Sequence, residues 1–130
     1  MKGKIALITI LTDDVPTMVH FYQDVLGFES KQEIDQYTEF VHEGVRFAIC
    51  ARSVMEGATS SSTYHEPRSG QTFELALPLD SAAELDLAYA EIIAKGATPI
   101  QSPADMPWHQ RTAFFADPDG NIHELFTDLT

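Results

Sequence analysis

Glu74 stands inside the apolar run Phe73-Glu74-Leu75-Ala76-Leu77, where a carboxylate needs a reason. Strand alternation puts Glu74 on one face with Ala76, while Phe73, Leu75, Leu77 and Leu79 pack the core side. Glu74 then faces either a wet functional cavity or bulk solvent. A second segment, Met106-Pro107-Trp108-His109-Gln110-Arg111, carries two groups able to meet a ligand. Trp108 could stack on a planar compound, and Arg111 could pair with a carboxylate or a substrate anion. Packing for Trp108 and a structural ion pair for Arg111 explain them equally well. The histidines are His20, His42, His65, His109 and His123, and none has the close spacing of a metal cluster. His65 and His109 could line the mouth of a pocket or lie on the surface. Cys50 lies in the apolar run Val45-Arg46-Phe47-Ala48-Ile49-Cys50, as a buried small residue would. No Ser-His-Asp arrangement, P-loop or GxGxxG is evident, so nucleophilic and nucleotide chemistry have no support.

These residues need elements to position them. Ile5 to Leu11 is a β-branched, apolar run and reads as a strand. Asp13 or Asp14 can cap a following helix, Pro16 suits its first turn, and Val19, Tyr22, Val25 and Leu26 recur at helical spacing. Gly27 ends it. Strands are expected near Phe28–Glu33, Tyr37–His42 and Val45–Ala51, with a tight turn around Glu43-Gly44. Residues 53–70 have the Gly, Ser, Thr and Pro content of a connecting loop, long enough to be functional or mobile. The pattern then restarts: a strand over Thr72–Leu79, then a capping box from Ser81 to Glu84. Leu85, Ala88, Ile92 and Ile93 form an apolar helix face, ended by Gly96. Strands follow near Thr98–Gln101, Arg111–Ala116 and Ile122–Phe126, the last two joined by the turn Asp117-Pro118-Asp119-Gly120.

The chain is therefore a weak internal repeat of strand, helix and three strands. Leu26-Gly27 corresponds to Lys95-Gly96, and Gly44 with Ala48-Ile49 to Gly120 with Glu124-Leu125. The offset grows between these matches, so the second module has the longer middle. One such module cannot cover its own sheet, so the two should pack together. The reading is one 130-residue α+β domain: module one at about 4–52, the loop 53–70, and module two at about 71–127. The net charge of −12, from eight basic and twenty acidic residues, argues against nucleic acid and against an anionic membrane. The same charge suits solubility, or a cationic or metal-chelating ligand. With one cysteine, no signal-peptide h-region and no apolar stretch long enough to span a bilayer, a cytoplasmic location is expected.

Two motifs now carry a resemblance. FYQDVLGFE runs from Phe21 to Glu29, and FFADPDGNIHEL from Phe114 to Leu125. In this order and spacing, with the repeat, the chain resembles the vicinal-oxygen-chelate superfamily of glyoxalases, bleomycin-resistance proteins and extradiol dioxygenases, over about Lys4 to Phe126. The resemblance implies paired βαβββ modules whose curved mixed sheets enclose a pocket, usually in a homodimer. It also implies, in the enzymes, a divalent metal held by His, Gln or Glu from the first and last strand of each module. Those positions fall here on Leu7 and Ala48 in module one and on Glu74 and Glu124 in module two. Leu7 and Ala48 offer no donor. Where related proteins often have Trp-Gly-x-Arg, this chain has His109 in place of the glycine between Trp108 and Arg111.

The expected function is a metal-free, small-molecule-binding protein that sequesters an aromatic or cationic compound, with Leu7, Ala48, Glu74, Glu124, Trp108 and Arg111 lining the site. No cofactor is expected. The alternative is a metal-dependent lyase, isomerase or dioxygenase using Glu74 and Glu124, with a third donor from His65, His109 or a partner subunit, or with Glu124 as general base. A catalytically silent structural or regulatory dimer is the third possibility.

Overall fold

The computed structural model describes all residues from Met1 to Thr130. They form two compact units, Met1–Ser69 and Gly70–Thr130.

The first unit opens with β1 (Leu7–Thr12) and α1 (Val15–His20). Asp14 caps α1: its carboxylate accepts the Thr17 N–H at 3.1 Å and the Thr17 hydroxyl at 2.8 Å, and Pro16 lies in the first turn. The helix continues over Phe21–Val25 as a widened turn, with the Leu26 N–H bonded to the Phe21 carbonyl at 3.1 Å. Gly27, at φ 85°, then reverses the chain, a conformation in which a side chain would be strained. β2 (Ser30–Ile34), β3 (Tyr37–Phe40) and β4 (Arg46–Ala51) complete a sheet of order β1-β4-β3-β2, with β1 parallel to β4 and the other pairs antiparallel. Ile10, Phe40, Phe47 and Ile49 share the face under the helix. Ring centroids lie 5.5 Å apart for Tyr22–Phe47, 5.3 Å for Phe28–Phe47 and 5.4 Å for Phe40–Phe47. Each buried ring contributes roughly 1.5–3 kcal/mol by burial.

The stretch read as loop, 53–70, differs from expectation. It holds α2 (Arg52–Thr59) and a short 3-10 turn at Ser62–His65. The reason is Arg52. Its buried guanidinium donates to the carbonyls of Tyr64 at 2.6 Å, Thr63 at 3.3 Å and Glu66 at 2.6 Å, folding the later residues back onto the start of the helix. The Ser and Thr residues that suggest a loop sit at its C-terminal end, where Ser60 adopts φ 60°.

The second unit repeats this topology. β5 (Ala76–Pro78), α3 (Ala82–Ala94), β6 (Thr98–Met106), β7 (Gln110–Ala116) and β8 (Ile122–Asp128) give the sheet order β5-β8-β7-β6. Ser81 caps α3 by accepting the Glu84 N–H at 3.1 Å. Leu85, Tyr89 and Ile92 are its buried residues, and it packs over β6, β7 and β8. The longer middle is β6, whose nine residues carry two register shifts, around Gln101. β5 is shorter than the expected Thr72–Leu79, because residues 71–74 make no backbone ladder bond to β8. No helix is long and apolar enough to cross a membrane.

The Asp117-Pro118-Asp119-Gly120-Asn121 turn is knotted around one buried carboxylate. Asp117 accepts the N–H groups of Asp119 at 3.0 Å and Asn121 at 2.9 Å, and the Asn121 side-chain amide at 2.8 Å. Gly120 closes the turn at φ 84°.

Candidate functional site

Register aligns the two repeats residue by residue. Ala48 pairs with Thr9 on one side and Glu39 on the other, and Glu124 pairs with Ala76 and Phe114. Ala48 is therefore the counterpart of Glu124, and Leu7, two residues before Thr9, is the counterpart of Glu74. In each unit these residues lie on the sheet face turned away from the helix.

In the second unit that face carries Glu124, with Phe114 beside it and Phe126 and Thr112 further along. The Glu124 side chain is half-buried and no cation stands against it. Burial raises its pKa above the ordinary carboxylate value, and the nearby Glu74 carboxylate adds to the rise. Thr112 is fully buried and its hydroxyl has no hydrogen-bond partner. Glu74 itself is exposed.

His123 points the other way. It is fully buried, its Nδ1 accepts the Leu75 N–H at 3.1 Å, and its Nε2 lies 3.7 Å from the Asp117 carboxylate.

In the first unit, Ala48 is fully buried and Leu7 is partly exposed. The charged residue there is one strand over. Glu39, with its side chain only 4% exposed, accepts two hydrogen bonds from Arg46, at 3.0 and 2.6 Å, and one from the Tyr37 hydroxyl at 3.1 Å. The Arg46 hydrogen bonds hold the Glu39 carboxyl down at about 2, against the opposing effect of burial. Sequence reasoning missed Glu39. The available signal was an acidic residue inside the apolar strand Tyr37–Phe40, with the basic Arg46 at the start of the next strand.

Trp108 and Arg111 separate. Arg111 lies on the helix face of β7, where its guanidinium takes Asp86 of α3 through two nitrogens, at 2.8 and 3.1 Å, and Asp105 of β6 at 2.9 Å. This is the structural ion pair, and it leaves Arg111 on the face opposite Glu124. Trp108 is 60% exposed, and its indole N–H donates to Gln110, which in turn donates to Asp128 at the far end of the Glu124 face. His65 is engaged by Glu56 at 2.7 Å. His109 occupies a turn at φ 62°, a left-handed conformation that glycine adopts without strain.

Residues 4–125 match the model of the Glyoxalase/Bleomycin resistance protein/Dioxygenase superfamily. The chain belongs to this superfamily. Its sequence is 28% identical over 135 residues to the uncharacterized protein YraH of Bacillus subtilis (strain 168), covering 97% of this chain and 99% of that one. A crystal structure of a glyoxalase/bleomycin resistance protein/dioxygenase from Nocardioides superposes with a TM-score of 0.87 at 29% identity, over 99% of this chain and 85% of the other. The fold is also shared with a lactoylglutathione lyase from Agrobacterium tumefaciens, at TM-score 0.73 and 22% identity, over 97% and 94% of the two chains.

The superfamily's metal chemistry does not fit the residues present. At the four expected ligand positions, Leu7 and Ala48 have no donor atom, which leaves Glu74 and Glu124. No group of three or more His, Cys, Asp or Glu side chains is arranged to hold a metal ion. The one other buried carboxylate beside these positions, Glu39, is occupied by Arg46.

Proposed function

We propose that this chain is a metal-free binding protein of the glyoxalase/bleomycin-resistance superfamily that holds a small aromatic cation against the Glu124 face of the second unit. One observation carries the reading. Glu124 is a half-buried carboxylate with no cationic partner, next to a second carboxylate and flanked by Phe114 and Phe126. A carboxylate in such surroundings costs free energy when ionised, and a ligand cation would offset that cost. The aromatic rings add a surface for a planar group and for the cation itself. The net charge of −12 favours approach of cations and disfavours anions. The absence of donors at Leu7 and Ala48 supports binding without a metal. Sequestration needs no reacting group, so no proton or group transfer is assigned to any residue.

The test uses benzamidinium and its neutral analogue benzamide in calorimetric titrations. Benzamidinium should bind the native chain at least ~10-fold more tightly than it binds Glu124→Gln, a loss of about 1.4 kcal/mol for one charge contact. Benzamide should not distinguish the two proteins. Equal affinity of benzamidinium for both proteins would refute the assignment. Mn²⁺, Ni²⁺ and Zn²⁺ are titrated in parallel into the native chain and Glu124→Ala. Stoichiometric metal binding that the substitution abolishes would replace this reading with a metal-dependent lyase, isomerase or dioxygenase.

A further inference from the structure

In the first unit, the residues before Thr9 stay in the ladder. The Arg46 N–H reaches the Ala6 carbonyl at 2.9 Å, and Leu7 pairs with Arg46. The same register in the second unit would join the Ile122 N–H to the Phe73 carbonyl. It does not. The Gln71 side-chain amide is inserted between them: its Oε1 accepts the Ile122 N–H at 3.0 Å, and its Nε2 donates to the Phe73 carbonyl and, at 2.9 Å, to the Ile122 carbonyl. One residue on, the Leu75 N–H is taken by the His123 ring nitrogen at 3.1 Å, and the backbone ladder resumes where the Glu124 N–H meets the Leu75 carbonyl at 2.9 Å. Glu74 lies between these two side-chain anchors, on an arm held off β8 by the width of an amide. The His123 ring is backed on its far side by Asp117 and the knotted turn.

We infer that Gln71 and His123 are positioning residues, whose hydrogen bonds to the 71–75 arm set the distance between Glu74 and Glu124. The inference rests on the proposed cation-binding role of Glu124 for its functional meaning. The hydrogen-bond arrangement stands without it. A regular strand, as in the first unit, would fix the position of residue 74 by backbone bonds alone. Here two side chains fix it, and so they also set how closely two like charges approach and how much room a cation has between them. Gln71 donates and accepts at once through the two ends of its amide. His123 must offer a bare Nδ1 to Leu75, which puts its proton on Nε2, toward Asp117.

The experiment follows the Glu124 carboxyl by NMR in the full chain labelled with ¹³C on glutamate side chains, with assignment by Glu124→Gln. Glu74→Gln should lower the Glu124 midpoint, because the like charge is gone. Gln71→Ala, at an exposed position, should shift it, because the spacer that fixes the distance between the two carboxylates is gone. Added to Glu74→Gln, it should change nothing further. His123→Asn should behave as Gln71→Ala does. A purely structural role for Gln71 would alter stability and leave this midpoint in place. A Glu124 midpoint unmoved by Gln71→Ala, while Glu74→Gln lowers it, would overturn the inference; so would a midpoint insensitive to Glu74→Gln. Midpoints that behave as expected, with benzamidinium affinity independent of Glu124, would refute the binding reading alone.

Discussion

Replacing Asp117 by alanine removes the carboxylate around which the turn between β7 and β8 is built. Three hydrogen bonds disappear: those from the Asp119 N–H, the Asn121 N–H and the Asn121 side-chain amide. Asp119 is exposed, so water replaces that partner at small cost. Asn121 is buried, so its two donors stay unsatisfied, at about 1–3 kcal/mol each. A loss of about 3 kcal/mol is the conservative figure. Unfolding entropy near 2.1 cal/mol/K per residue amounts to ~0.27 kcal/mol/K for this chain, so Tm should fall by roughly 10 °C. Differential scanning calorimetry at neutral pH measures the shift, with Asp119→Ala as control. The control's exposed side chain makes none of the three bonds, and it should stay within ~0.5 kcal/mol of native. A Tm for Asp117→Ala within about 2 °C of native would refute the view that the DPDGN motif is a structural knot around a buried charge.

Three further outcomes are expected. Glu124→Gln should raise Tm at pH 7 to 8 and have no effect near pH 4 in thermal scans across pH; the raised pKa of Glu124 favours the fold below the unfolded carboxyl value of 4.5. That contribution disappears as the pH rises through the folded value, so removing the charge helps only above it. Glu39 has the opposite sign. Its carboxyl is held at about 2 by Arg46, so its contribution is complete above 4.5 and is lost as the pH falls toward about 2. Arg46→Met should therefore move the acid-unfolding midpoint, followed by circular dichroism, to higher pH. Arg52→Met should strip the carbonyls of residues 63, 64 and 66 of their shared donor, and raise amide hydrogen exchange across 60–66 with little change in β1, β3 and β4.

The repeat was legible in the sequence because it is written in local chemistry. Asp14 and Ser81 cap helices through their own short side chains, and Gly27 and Gly96 end them in left-handed conformations. Asp117 to Gly120 folds its turn with bonds spanning four residues or fewer. The two motifs Phe21–Glu29 and Phe114–Leu125 then sufficed to name the superfamily. The helix α2 was not legible, since what stabilises it is a guanidinium bonded to carbonyls eleven to fourteen residues later, on a stretch of loop-like composition.

For the site, residue types and the equivalence of the two repeats were readable and partners were not. Residue types and spacing alone establish that Leu7 and Ala48 offer no metal donor, that Glu74 and Glu124 are the second repeat's counterparts, and that the chain is strongly acidic. It takes the folded chain to pair Arg111 with Asp86 and Asp105 on the helix face, to set Arg46 against Glu39, and to put Gln71 in the place of a missing rung between residues 73 and 122. What separates the two sets is range. Caps, turns and strand alternation depend on neighbours a few residues away, while the pairing of Gln71 with Ile122 spans 51 residues and Leu75 with His123 spans 48. Pairing at that distance is set by sheet register and by which strand a side chain meets there, and a linear pattern encodes neither.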